Sequence, residues 1–147
     1  MILYVEDDLI VSQLWSAVMK KAGFNIKVVT TPDEALEIVG RLPSELQAIF
    51  IDVMLPLGES IGRVESDSGL RTGFVLIEKI RRIYKDHNLP CVPIGAITIR
   101  STYGDELEKM GVKMIFKRRQ SPKRLLEVLD GWGIEPDLGR ERSHERD

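Results

Sequence analysis

Residues 48–52 read Ala-Ile-Phe-Ile-Asp, four apolar side chains in unbroken succession closed by a carboxylate. A strand with one wet face alternates apolar and polar residues, whereas a strand covered on both faces does not. This run therefore predicts a central strand of a parallel sheet with helices on either side. Working outward, Ile2-Leu3-Tyr4-Val5 is a run of the same kind, and Ile26 to Thr30 reads as another strand. Val92 to Thr98 gives a fourth, with Pro93 near its start, where a proline costs least. Met114-Ile115-Phe116 makes a fifth.

Helical patterns fill the intervals. Ile10, Leu14, Val18 and Ala22 recur at helical spacing before Gly23 stops them. Thr31-Pro32-Asp33-Glu34 combines an N-cap, a proline at the first helical position and a capping-box glutamate, with Ala35, Leu36, Ile38 and Val39 as the buried side. Thr72 is placed to cap a helix carrying Phe74, Ile77, Ile80 and Ile83. Ser101 to Met110 is short and weakly patterned; Ser121-Pro122 opens a last helix with Leu125, Leu126, Leu129 and Trp132. Strands alternating with helices imply βαβ units, an α/β class. The polar stretch between Pro56 and Gly73 reads as a loop, and the charged residues 133–147 as a flexible tail behind a single domain spanning 1–132.

Composition narrows the function. The chain has 147 residues, enough for one core, and a net charge of −2 that gives no global field for nucleic acid or an anionic membrane. No apolar run approaches the roughly 18 residues a membrane helix needs. Met1 leads straight into a strand with no basic leader, and Cys91 stands alone, so a cytoplasmic protein without an intramolecular disulfide is expected. Cys91 itself reads as a small buried hydrophobe beside a strand.

In a parallel α/β sheet, ligands bind beyond the carboxyl ends of the strands. The first strand ends in Glu6, Asp7 and Asp8, the third in Asp52, the fourth in Thr98 and the fifth in Lys117 and Arg118. Clustered carboxylates repel one another, and a hard divalent cation relieves that repulsion with oxygen ligands. A carboxylate can also attack phosphorus to form an acyl phosphate, so the set suits metal-assisted phosphoryl transfer.

The stretches ILYVEDD (2–8), AIFIDVMLP (48–56), VPIGAIT (92–98) and MIFKR (114–118) occur in this order, each at a strand end. Together they resemble the receiver domains of two-component response regulators over residues 1–132. The resemblance implies a flavodoxin-like, doubly wound (βα)5 sandwich with a five-stranded parallel sheet in the order 2-1-3-4-5. It implies that Asp52 accepts a phosphoryl group, and that Glu6, Asp7, Asp52 and the Met54 carbonyl hold Mg²⁺. By the same resemblance Thr98 bonds the phosphoryl group and Lys117 pairs with it or with the resting carboxylate. The implied donor is a phosphohistidine on a sensor histidine kinase or a histidine phosphotransfer protein. Output would pass to a downstream protein the sequence does not name, with no direct nucleic-acid or membrane contact and with a homodimer left open. Asp8, the extra acid, is better placed to cap the first helix.

Several positions depart from the family pattern. Counting from Gly111 favours Arg118 over Lys117 for the basic role, while the wording Met-Ile-Phe-Lys favours Lys117, and alternation lets only one of them face the site. The loop of residues 58–72 exceeds the usual length by roughly a dozen residues. It reads as a surface insertion, or as a lid from which Arg63 or Arg71 approaches the phosphoryl group. Ile99 stands where the family has a small residue, and no aromatic fills the switch position of the fifth strand. The basic residues Lys117, Arg118, Arg119, Lys123 and Arg124 lack interleaved aromatics and read as a solvated face. Two other functions are open to this sequence. One is a pseudo-receiver that acts by binding without phosphorylation. The other is a haloacid-dehalogenase-type phosphatase, which wants an acid where Met54 stands.

Overall fold

The computed structural model describes residues 1–55, 71–117 and 120–137. The strands are β1 (Ile2–Val5), β2 (Ile26–Val29), β3 (Ala48–Asp52), β4 (Ile94–Thr98) and β5 (Lys113–Phe116). The α-helices are α1 (Leu9–Lys21), α2 (Pro32–Arg41), α3 (Thr72–Asp86), α4 (Gly104–Lys109) and α5 (Arg124–Gly131). All pairings are parallel and the sheet order is β2-β1-β3-β4-β5, the doubly wound arrangement expected.

Alternation along the central strands feeds two cores. Leu3, Val5, Ile49 and Ile51 point to one face, where Phe74, Ile77 and Ile80 of α3 and Val39 of α2 cover them. Ile2, Tyr4, Phe50, Ile97 and Ile115 point to the other, under Trp15 and Met19 of α1 and Leu125 and Leu129 of α5. Because both faces are buried, β1 and β3 have no polar alternation to show. Each large aliphatic buried this way contributes about 1.5–3 kcal/mol.

Close backbone approach is needed at two glycines. A Cβ on Gly73 would lie 2.5 Å from the Val53 Cα and 2.8 Å from the Asp52 carbonyl oxygen. A Cβ on Gly95 would lie 2.7 Å from the Phe50 ring, which stacks on Trp132 with centroids 5.6 Å apart.

Details differ from the sequence expectation. In α1 the row Ile10 and Leu14 is exposed (80% and 59%), while Ser12, Trp15, Ser16 and Met19 face the sheet. Small serines let the indole and thioether reach the strands, and spacing alone does not tell the two rows apart. β4 starts at Ile94, so Cys91 lies in the connection and is exposed rather than buried. Thr72 is the first residue of α3 instead of its cap; Arg71 holds the cap position, and its side chain makes no capping bond to the helix amides. The Gly73 amide donates to the Val53 carbonyl at 2.8 Å, and this close seating draws Thr72 into the interior. α5 begins at Arg124, after a tight turn in which the Arg124 amide donates to the Ser121 carbonyl.

Other signals match the geometry. Asp8 caps α1, accepting from the amides of Ile10 and Val11. Thr31 caps α2, accepting from the Glu34 amide at 3.2 Å. The flexible tail expected from residue 133 does not begin there: the Asp137 amide donates to the Gly23 carbonyl and Ile134 packs on the α1–α5 core. Pro56, the segment 58–70 with Arg63, residues Arg118 and Arg119, and the tail from 138 onward lie outside the described residues. Among those described, no helix is long and apolar enough to cross a membrane.

Candidate functional site

The register dictates which side chains meet. Val5 pairs with Ile51, so Glu6 and Asp52 are level at the carboxyl ends of adjacent strands. Both follow the alternation of Tyr4 and Phe50 onto the α1–α5 side. Ile97 pairs with Asp52 on one side and Ile115 on the other, and Lys117 lies two residues beyond Ile115 on the same face. The Lys117 amide donates to the Thr98 carbonyl at 2.9 Å, continuing the ladder to the point where the side chain turns over the acids.

The ammonium of Lys117 donates to Glu6 Oε2 and to Asp52 Oδ2, each at 2.9 Å. Asp52 Oδ1 accepts from the Met54 amide at 2.8 Å. Glu6 is 1% exposed, so its carboxyl has almost no water to stabilise charge. Burial, reinforced by the neighbouring Asp52, pushes it up to about 8 against the opposing pull of Lys117. Burial pulls the Lys117 ammonium down, but Asp52 and Glu6 outweigh it and hold it above its ordinary value.

Asp7 is exposed, and one carboxyl oxygen from each of Glu6, Asp7 and Asp52 lies within 4.8 Å of the others. This all-oxygen donor set fits a small hard cation, and one of its members is a buried acid whose ionisation needs a positive neighbour. A cavity of about 260 Å³ opens over the group, lined by Glu6, Asp7, Asp8, Asp52, Met54, Ile99 and Lys117. Thr98 is buried beside it with its hydroxyl accepting from the Arg100 amide at 3.0 Å.

The raised Glu6 value has a measurable consequence. In the unfolded chain this carboxyl ionises near 4.5; in the folded chain it holds its proton to about 8. Its contribution to stability is therefore full below about pH 4.5 and is lost progressively as pH rises towards about 8. Without metal, Glu6→Gln should flatten the fall in urea midpoint that wild type shows between about pH 6 and about pH 8.5. Parallel falls in the two proteins would remove Glu6 as the cause.

No family model and no curated protein matches the sequence, whereas solved structures match closely in shape. The chemotaxis response regulator CheY4 of Vibrio cholerae superposes with a TM-score of 0.66 at 22% identity, over 89% of this chain and 96% of that one. The receiver domain of the hybrid histidine kinase CckA gives 0.63 at 21% identity, over 89% and 96%. The response regulator TrrA of Thermotoga maritima, in complex with Mg²⁺-BeF, gives 0.65 at 20% identity over the same shares. This chain has the receiver-domain fold.

Within that receiver fold, all the acids named from the sequence converge at one end of the sheet with Lys117. Gly73 and Gln120 were not evident as site-forming residues. Gln120 closes the turn around Lys117, its side-chain carbonyl accepting from the Phe116 amide at 2.8 Å and its own amide donating to the Phe116 carbonyl. Nothing in the spacing singles out either residue, because both act through backbone contacts. Arg71 is directed elsewhere than expected: its guanidinium pairs with both carboxylate oxygens of Glu106 on α4 and lies over the Phe74 ring. A larger cavity, about 660 Å³ beside Gly104, Glu108, Met114 and Trp132, holds none of the candidate site residues.

Proposed function

We propose that this protein is a phosphoacceptor signalling module of a two-component phosphorelay, phosphorylated on Asp52. One observation carries the reading. A single ammonium, Lys117, lies 2.9 Å from both the Asp52 and Glu6 carboxylates, at the sheet end where a parallel α/β fold binds ligands. That ion group is largely withdrawn from water, and a buried arrangement of this kind is poor as mere scaffolding. It suits a reaction in which charge arrives and must be neutralised.

Asp52 is the nucleophile in this reading. One of its carboxylate oxygens attacks phosphorus, the bond from phosphorus to the donor's imidazole nitrogen breaks, and that nitrogen retains the electron pair and is protonated. The Met54 amide fixes one Asp52 oxygen, which leaves the other, now on Lys117, to turn to the incoming group. Lys117 then follows the negative charge onto the phosphoryl oxygens. Thr98 gives up its bond with Arg100 to donate its hydroxyl to the same group. Glu6, Asp7, Asp52 and the Met54 carbonyl are the residues that would hold Mg²⁺, which supplies charge neutralisation on the phosphoryl oxygens when bound. Binding it requires Glu6 to lose its proton, so affinity should rise with pH. The module promotes only its own phosphorylation and dephosphorylation, works in the cytoplasm, and signals by binding a downstream protein. Its partner upstream is a sensor histidine kinase or a histidine phosphotransfer protein.

Incubation with acetyl phosphate and Mg²⁺, followed by intact-mass measurement, tests the proposal. Wild type should gain one phosphoryl group that hydroxylamine removes, and Asp52→Ala should gain none. An unmodified wild type that also fails to bind beryllofluoride would favour a pseudo-receiver. Sustained release of phosphate from small phosphomonoesters would favour a phosphatase.

A further inference from the structure

α4 cannot hold its own position. It has only six residues, one buried side chain (Leu107) and no side-chain cap at its start. Helices this short are unstable by themselves and take their place from tertiary contacts. Among the described residues α4 packs on β5 and on the turn of residues 101–103, and the start of α3 adds a polar tie on the site side. Arg71 Nη1 donates to Glu106 Oε2 at 3.0 Å, and its second nitrogen pairs with Oε1, the two-point geometry that fixes orientation as well as distance. The guanidinium carbon lies 4.5 Å from the Phe74 ring centroid. Phe74 in turn meets Tyr103, the residue preceding α4, edge to face at 5.0 Å.

The same α3 turn is seated on the phosphoacceptor strand. Gly73 lies flush against the backbone of Asp52 and Val53, with its amide on the Val53 carbonyl. No side chain intervenes to absorb a shift. Backbone displacement at Asp52–Val53 has to be taken up by Gly73 and its immediate neighbours, which carry Arg71 and Phe74.

We propose that Arg71 is the clasp of a mechanical link that positions α4 from the carboxyl end of β3, through Gly73 and Phe74 to Tyr103 and Glu106. Events at Asp52 thereby reach α4 along α3, in addition to any path through Thr98. The surface of α4 is then a readout face whose position depends on the Arg71–Glu106 pair. The ligand-response part of this inference rests on the phosphoacceptor reading; the clasp itself does not.

Amide hydrogen exchange in α4, followed by NMR, separates the two. Arg71→Ala and Glu106→Gln should each speed exchange at Leu107 by roughly threefold or more, as expected from losing a two-point ion pair and a ring-stacked cation. The double variant should add little to either single change. Unchanged α4 exchange in both single variants would overturn the clasp. With Mg²⁺ and beryllofluoride, α4 resonances should shift in wild type. In Arg71→Ala they should shift clearly less than in wild type while Asp52 and Val53 respond as before. Equal α4 shifts in the two proteins would show that the link does not run through Arg71. Absence of a bound fluoride signal in wild type would count against phosphoacceptance alone, and the exchange rates would then decide the clasp by themselves.

Discussion

Lys117→Met should lower metal-free stability by about 3 kcal/mol at about pH 8.5, measured by urea denaturation in chelator. The wild-type ammonium is shared by two carboxylates at 2.9 Å, one of them almost fully buried. Methionine replaces the volume of the chain but leaves Glu6 and Asp52 facing each other with no cation between them. Removing one member of a buried ion group costs more than the pair contributes, because the remaining charge stays desolvated. The loss should shrink towards about pH 6, where Glu6 is protonated and a single carboxylate remains. Added Mg²⁺ should also stabilise the variant more than wild type, since the cation supplies the missing charge. An equal deficit at both pH values, untouched by Mg²⁺, would mean that Lys117 matters for packing rather than charge.

Gly73→Ala is expected to be as damaging without altering any charge. Its Cβ would meet the Val53 Cα at 2.5 Å, the Asp52 carbonyl oxygen at 2.8 Å and the Val53 carbonyl oxygen at 2.9 Å. All three are backbone atoms that no rotamer change can move, so α3 has to retreat from β3. A cost of about 3 kcal/mol is expected. Asp52 should be displaced as well, weakening beryllofluoride binding by roughly tenfold or more. Gly40→Ala serves as the control. Nothing lies within 4 Å of its added methyl, and in the last turn of α2 it should be neutral or stabilise by about 0.5 kcal/mol at most. Wild-type stability and ligand affinity in Gly73→Ala would show that α3 is free to move off the strand.

These two residues also mark the limits of reading this chain from its sequence. The sheet and the placement of the acids were legible, because unbroken apolar runs ending in carboxylates have few alternatives in an α/β fold. Lys117 was legible only to within one residue. Counting from Gly111 and matching Met-Ile-Phe-Lys disagree, and a strand's register is fixed by pairing: here Thr98 with Phe116. Gly73 could not be recognised, since close approach to another backbone leaves no pattern along the chain. Arg71 was seen as a cation near the acids, but its partner Glu106 is thirty-five positions away and on a helix with weak periodicity. In α1, spacing found the helix and not its inward side, because serines at 12 and 16 are what make room for Trp15.

The two tryptophans have a practical consequence. Trp15 sits on α1 and Trp132, at the end of α5, stacks on Phe50 two residues before Asp52; both belong to the same side of the sheet. Intrinsic fluorescence is therefore an optical gauge of that side alone. A ligand that disturbs the strand beneath Trp132 should change emission, while a rearrangement confined to α3 should leave the spectrum dark to it. Comparing tryptophan emission with an extrinsic dye on exposed Cys91, next to β4, would let the two layers be timed separately in a single stopped-flow experiment.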